Sequence, residues 1–578
     1  IEQYRPVEFS RDWNLTSATK ANENISELKL GIQNKKNQFV MYQFKYMFHE
    51  SQFNGLQNQL ALAQDYKKFF LTFAGSYLQT NSPTYGTAYF KQKASLIKKL
   101  KWFSLGVAEE QEHNLFKLSA MDSLLGNSFA FNIYEAFLAS PDSSVNKFKV
   151  SYKKRYDYLP LANQLKLATD ADDFNLNVEL IKNPKNILKV GATYRMLKIA
   201  DTLLSLTKPD NMLIGRVEYY THFAKRVFQS TTYYEVGSGM EEKKEYSYIE
   251  VAAGQGVFVW TDYNGDGIKQ LNEFDVAVFK DQANYIRVFT PTHNYIKTYS
   301  NQFSEALTID PGVVWSQKKG FRKFLSRFYL QSTYSVEHKS TNKNLLQAYN
   351  PFYFNLNDTS LMTSTTQFKS VLFFNRSNPK IGVEIFYQLN NSKLLLINGI
   401  ESRSAESYGT RIRWNVTRKF YTNLMFSKGH KTYFSEYFSS KNFDISSWEI
   451  EPKLIYQPGN KFRISLIYNY SDKINSAASP NDRAINHNIG LDMKYNFPGK
   501  GTLLAKVNYI NIRYNSSENT SLAYEMLNGF KPGQNVTWNF TFQRNIGNNL
   551  QLDLVYDGRK TGTNKLVHVG NLQIRAYF

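Results

Sequence analysis

From about residue 27 to the end of the chain, apolar and polar side chains alternate with a period of two in segment after segment. In the run 536–543 one face reads Val536, Trp538, Phe540 and Phe542, and the other Thr537, Asn539, Thr541 and Gln543. The run 489–497 sets Ile489, Leu491, Met493, Tyr495 and Phe497 against Gly490, Asp492, Lys494 and Asn496. The first half does the same: Val40, Tyr42, Phe44, Tyr46 and Phe48 oppose Gln43 and Lys45, and Phe174, Leu176, Val178 and Leu180 oppose Asn175, Asn177 and Glu179. Side chains of a strand point to opposite faces at successive residues, whereas a helix repeats every 3.6, so the pattern predicts strands with one apolar and one polar side. Such runs match the roughly 9 to 11 residues of a tilted membrane strand. No composition shift marks a separate soluble domain.

Composition narrows what these strands build. Aromatic residues make up 16% of the chain, with 40 Tyr and 43 Phe, yet the mean hydropathy is only −0.47. No stretch approaches the roughly 18 to 20 apolar residues of a membrane helix. High aromatic content at low hydropathy is what alternating strands with interfacial aromatic girdles produce. The chain has no Cys, which excludes disulfides, thiolate metal sites and Cys nucleophiles. Its net charge of +21 is spread over turns (34–37, 98–101, 318–323) and over the polar faces of strands. A nucleic-acid surface gathers basic residues on one element, so that class is set aside. A basic lumen, or rims facing anionic headgroups, accounts for the charge instead.

The connections differ in length. Short turns are expected at 33–37, 65–68, 98–101, 183–186, 225–226, 375–380, 417–419, 458–461, 498–500 and 545–549. Between them lie polar stretches at 114–127, 160–173, 199–211, 429–442, 471–486 and 516–533. Short turns at one end and long loops at the other mark an outer-membrane barrel, with the short turns periplasmic. The expected fold is therefore an all-β, transmembrane antiparallel barrel of about 26 to 28 strands over residues 27–578. Residues 1–26 form an entry segment or the end of an upstream region. The start at Ile1 fits a processed chain or a piece of a longer one.

The closing segment 566–578 resembles the C-terminal signal of bacterial outer-membrane barrels. Leu572, Ile574 and the terminal Phe578 share its apolar face, and Tyr577 lies beside Arg575 on the other. In that family the last strand is read by the barrel-assembly machinery. The resemblance implies a Gram-negative outer-membrane location, multi-pass, in contact with lipid and lipopolysaccharide. In size and Tyr/Asn/Lys-rich style the chain resembles large Bacteroidota barrels of the export and assembly type. The nutrient importers carry a long plug domain, for which patterning from residue 27 leaves no room here. A barrel this wide has a lumen that is open, plugged or occupied by a protein partner.

One stretch breaks the alternation, at about 254–300, where an inserted β-hairpin is expected. Within it, residues 262–273 resemble the calcium loop of EF-hands and dockerins, D-x-N-x-D-G with Glu at position twelve. Asp262, Asn264 and Asp266 would supply side-chain oxygens, Ile268 its carbonyl, Gln270 a direct or water-bridged ligand, and Glu273 a bidentate closure. A hard cation needs six or seven oxygens converging from a short loop, and the spacing provides them. Lys269 stands where EF-hands place an apolar residue, and the flanks (257–260 and 274–279) read as strands. The expectation is a structural Ca2+ loop on a β-hairpin. The alternative is a metal-free Asp/Asn/Gly turn.

No enzyme signature appears: the eight His are scattered, G-x-S-x-G is absent, and Gly254-Gln-Gly256 lacks a following helix and Lys. His568 reads as structural. On the polar parity stand Lys29, Lys45, Lys149, Lys153, Arg463, Lys494 and Arg575, with Glu179, Asp492 and Asp553 as counter-charges. They suit a polyanionic passenger or an acidic partner in the lumen, or they cross-pair there. Three functional readings follow: a wide channel or translocon-like device for export or assembly, a non-conducting scaffold that docks lipoproteins or surface partners, and a general porin.

Overall fold

The computed structural model describes residues 13–15, 22–34, 38–49, 53–121, 123–204, 210–353, 355–356, 358–396, 399–477, 481–546 and 549–576. Among them are 27 strands, two of which, each three residues long, belong to the insert. The chain divides into two compact units, residues 1–219 with 235–238, and 220–234 with 239–578.

In the first unit the early strands are β1 (Glu23–Gln33), β2 (Phe39–His49), β3 (Phe53–Tyr66), β4 (Phe69–Asn81) and β5 (Tyr85–Lys99). They continue as β6 (Ser104–Leu118), β7 (Phe129–Ala139), β8 (Lys147–Leu161), β9 (Gln164–Leu180), β10 (Asn186–Ile199) and β11 (Asp210–Phe223). Successive strands from β1 through β10 pair antiparallel, the last pair being β9 with β10. In the second unit, β12 (Phe228–Glu250) leads into the insert with β13 (Phe258–Trp260) and β14 (Phe274–Val276), and β15 (Tyr285–Ile309) leads out. Then come β16 (Phe328–Ser340), β17 (Leu361–Phe374), β18 (Ile381–Leu396), β19 (Gly399–Asn415), β20 (Phe420–Ser435) and β21 (Phe443–Tyr456). The last are β22 (Phe462–Asn475), β23 (Asp482–Phe497), β24 (Gly501–Tyr514), β25 (Gly533–Asn545), β26 (Leu550–Thr561) and β27 (Val567–Ala576). From β15 to β27 these too form an unbroken antiparallel meander.

Register places like faces together. Leu28 lies opposite Phe44 and Tyr42 opposite Leu60, while Lys29 lies opposite Gln43 and Lys45 opposite Glu27. Tyr509 meets Val536, and Ala505 meets Phe540. The apolar side stays uncovered: Leu28, Ile32, Leu71, Val107, Leu176, Ile385, Leu466, Leu491, Phe540 and Ile574 are all exposed. An apolar surface of that extent in water would aggregate, and lipid is the solvent it fits. Outward rings lie on the same side, with Trp538 and Tyr556 each 5.9 Å from the His568 ring and Tyr556 Oη bonded to His568 Nδ1 at 2.7 Å, a structural role for that histidine. The protein has the all-β antiparallel fold of an outer-membrane β-barrel, and no described helix is long and apolar enough to span a membrane.

All ten expected short turns fall between consecutive strands, at one end of the meander within each unit. The opposite end differs from expectation. Residues 160–173 are not a long loop: β8 and β9 run through them and turn on Ala162 and Asn163 alone, both in the left-handed region (φ 49° and 64°). The stretches 429–442 and 471–486 likewise shrink to 436–442 and 476–481. Beyond the lipid band both faces of a hairpin meet water, so alternation fades although pairing continues, and a polar strand looks like a loop. The basic stretch 318–323 is not a tight turn. It belongs to an 18-residue connection, 310–327, folded into two short helices (Gly312–Trp315 and Phe321–Leu325) that seat Phe324 against Phe328 and Phe374.

The entry segment contributes a contact on the polar face. Trp13 is 4% exposed, packed with Met47, Phe53, Leu78 and Tyr89, and its ring fills the space where a Cβ on Gly55 would stand. The Asn14 amide bonds Asn114 Oδ1 at 2.9 Å and Thr87 Oγ1 at 3.1 Å.

Candidate metal centre

Between β12 and β15 the chain leaves the wall for residues 251–284, a narrower break than 254–300. β13 and β14 pair antiparallel, Trp260 opposite Phe274, and the loop 262–273 is held between them, flanked by strands. Gly265 and Gly267 adopt φ of 78° and 71°, which side chains with a Cβ rarely take, so the loop can fold back sharply at these two positions. The fold-back points acidic groups at one spot: carboxylate oxygens of Asp262, Asp266 and Glu273 lie within 4.8 Å of one another. Backbone N–H groups steady them. Gly265 and Gly267 donate to Asp262 at 2.6 and 2.9 Å, and Ile268 donates to Asp266 at 2.7 Å.

Glu273 is 1% exposed, and Trp260 Nε1 donates to its Oε2 at 2.9 Å. Asn264 Nδ2 and Gln270 Nε2 both donate to Asp266 Oδ2, at 2.8 and 2.7 Å. They turn the positive ends of two amide dipoles to the polarity a cation would satisfy; rotating either amide presents an oxygen instead. Ile268 is exposed at the loop tip. The donor set is all oxygen, as hard divalent cations require. Lys269 faces away, its ammonium bonded to Glu250 at 2.9 Å and set over the Tyr285 ring at 5.1 Å. Hydrogen bonds to Tyr285 and Glu250 push it up to about 12, so it stays charged.

The insert is fixed by residues that sequence reading missed. Asp275 accepts from Tyr263 Oη at 2.5 Å and Ser521 Oγ at 2.6 Å, and pairs with Lys441 at 3.1 Å. Lys441 also donates to the Phe274 carbonyl at 2.7 Å. Arg559 clasps Asp281, with Nη2 at 2.7 Å, while its guanidinium lies 4.2 Å from the Phe279 ring centre. Tyr524 Oη accepts from Val278 N at 2.9 Å, and Phe279 packs edge-on to Phe530. Burial, then the Asp275 carboxylate, raises Tyr263 well above the ordinary phenol range. Strand parity could assign Arg559 to the polar face, but nothing in a period of two says which distant loop rests there.

The basic residues of the polar face separate into two groups. Lys149 pairs with Glu135 at 2.7 Å, Lys153 with the same carboxylate at 3.9 Å, and Arg575 with Asp553 at 3.5 Å. Lys29, Lys45, Arg463 and Lys494 sit on the same face, with Arg463 directly opposite Lys494 as two like charges. Of the terminal signal, Leu572 and Ile574 are 64% exposed on the apolar side of β27, and Tyr577 and Phe578 lie outside the described residues.

No family model matches the chain, and no curated protein sequence matches it. Among solved structures it is similar to the copper transporter OprC, at 9% identity over 96% of this chain and 79% of that one, TM-score 0.31. It is similar to the ferripyoverdine receptor of the outer membrane of Pseudomonas aeruginosa, at 11% identity over 97% and 72%, TM-score 0.31. A third likeness is to the ferric-catecholate import receptor Fiu from K12 E. coli, at 9% identity over 93% and 77%, TM-score 0.29.

Proposed function

We propose that this protein is a wide outer-membrane transport barrel whose lumen is partly occupied by its own insert. The observation that carries the reading is the pairing of an uncovered apolar side with a polar, ion-paired side along two long antiparallel meanders. A wall of that kind and length encloses water, and an aqueous lumen of such width passes solutes or polymers unless something fills it. The finer reading, export or assembly across the outer membrane in a Bacteroidota-like manner, rests on size and style. Arg463 and Lys494, opposed like charges that form no ion pair among the described residues, favour an anionic passenger.

A second reading, a non-conducting scaffold, is favoured by the insert itself, clamped by the Asp281–Arg559 and Asp275–Lys441 pairs. Planar-bilayer recording separates the readings. Transport predicts conductance in the nanosiemens range from the purified barrel, rising when residues 251–284 are replaced by a short Gly-Ser linker. Silence from both forms favours the scaffold, and high conductance unaffected by the replacement favours a general porin.

For the loop 262–273 we propose a structural Ca2+ site held by Asp262, Asn264, Asp266, the Ile268 carbonyl, Gln270 and Glu273. Convergence of three carboxylates with a buried Glu273 supports it. The cation would rigidify the insert by neutralising those charges.

A further inference from the structure

Under the insert, in the second unit, lies a cavity of about 330 Å3. Its wall side is a single row across four strands: Thr365 opposite Ser392, Ser392 opposite Arg403, and Arg403 opposite Tyr433. One step along, Glu401 faces the same space. The other side is aromatic. Tyr248 stacks on Phe274 at 4.0 Å with 9° between planes, and meets Phe258 edge-on at 5.1 Å. Four cations border the space: Arg287, Lys393, Arg403 and Lys441.

Three of these cations are committed: Lys393 donates to the Leu356 and Asp358 carbonyls, each at 2.6 Å. Lys441 serves Asp275 and the Phe274 carbonyl, and Arg287 holds Glu401 at 3.3 Å. Arg403 is different. It lies exposed in the cavity with its guanidinium 4.8 Å from the Tyr433 ring centre, and among the described residues it forms no ion pair. An accessible arginine whose charge no protein anion meets is a fork for a carboxylate or similar anion. A site for an aromatic acid would end there. This one also offers two hydroxyls, Thr365 and Ser392, and a carboxylate, Glu401, which can only accept hydrogen bonds. Acceptors beside an anion-binding arginine suit a ligand rich in hydroxyl donors, and rings flanking them suit the C–H face of a sugar. The volume lies at the lower end of ligand pockets, roughly 300–1,000 Å3.

We propose that this cavity binds an acidic sugar: its carboxylate on Arg403, its hydroxyls shared among Glu401, Thr365 and Ser392, and its ring against the aromatic side. The proposal does not depend on whether the barrel conducts.

The test is calorimetric titration of the full chain in detergent with D-glucuronate, D-glucose and benzoate, on the unmodified protein, Arg403→Gln and Thr365→Val. Glucuronate is expected to bind saturably and more tightly than glucose. Arg403→Gln should weaken it by about 10- to 100-fold, the loss expected when a charged hydrogen bond is removed. Thr365→Val, a nearly isosteric change, should weaken it several-fold with sheet circular dichroism intact. The proposal is overturned by absence of saturable glucuronate binding, by equal affinity in both variants, or by benzoate binding as tightly as glucuronate, which would make the cavity an aromatic-acid site.

Discussion

Glu273 shows how a single side chain joins the loop to the body of the insert. It is buried, receives the Trp260 indole N–H, and reaches within 4.8 Å of Asp262 and Asp266. Glu273→Gln keeps the shape but removes a ligand charge. In differential scanning fluorimetry, calcium should raise the melting point of the unmodified protein, by an amount set by about 2.7 kcal/mol at a hundredfold excess over Kd. The variant should lose most of that rise while still forming the sheet; unchanged melting after chelator addition to the unmodified protein would refute the metal assignment. Tyr263 gives a pH-dependent prediction. Its phenol is held protonated by burial and Asp275, so its pKa when folded lies above the unfolded value of about 10. The stabilisation is therefore complete below about pH 10 and declines as pH rises beyond it. Limited proteolysis should cut within 251–284 progressively faster from pH 10 upward, and Tyr263→Phe should flatten that rise. The convergence of Asp262, Asp266 and Glu273 was legible because their spacing is local. Asp275, Lys441 and Arg559 were not, because their pairing joins residues more than a hundred positions apart.

At the scale of elements, the lipid-facing portion of each strand was readable and its watery extension was not. β12 and β15 have 23 and 25 residues, about twice what a membrane crossing needs. Only the band where one face meets lipid carries a hydropathy difference, so the polar hairpin tips resemble loops. The β8–β9 tip is the sharpest case. Asparagine tolerates the left-handed region, but Ala162 at φ 49° carries a Cβ that the conformation disfavours. Asn163 also accepts from Leu124 N at 2.6 Å, tying the tip to the neighbouring connection. Ala162→Gly should relieve the strain and stabilise the hairpin by about 0.5–1 kcal/mol, read as a higher denaturant midpoint. A lower midpoint would show that chain entropy outweighs the strain. The helical connection 310–327 was missed for another reason: its Lys and Gly residues fit a turn as well as two short helices, and aromatic packing onto Phe374 selects the helices.

For the whole molecule, the alternation does more than predict strands: within the lipid-facing band it assigns each wall residue to lipid or lumen, and a shift of one residue would exchange the two sets. That makes adjacent positions on one strand a direct test. On β25, Phe540 is exposed among outward rings, stacked on Tyr556, while Thr541 faces inward between Leu504 and Val555. An arginine on the lipid face of a barrel costs about 2–4 kcal/mol near the bilayer midplane and little near its edges, whereas a lumen position tolerates it. Phe540→Arg should therefore lower the unfolding free energy of the barrel refolded into lipid vesicles by up to about 4 kcal/mol, read as a lower urea midpoint. Thr541→Arg should leave the midpoint nearly unchanged and shift ion selectivity towards anions if the barrel conducts. Equal destabilisation by the two arginines would mean that both faces of β25 meet the same environment, and the lipid-and-lumen assignment of the wall would fall.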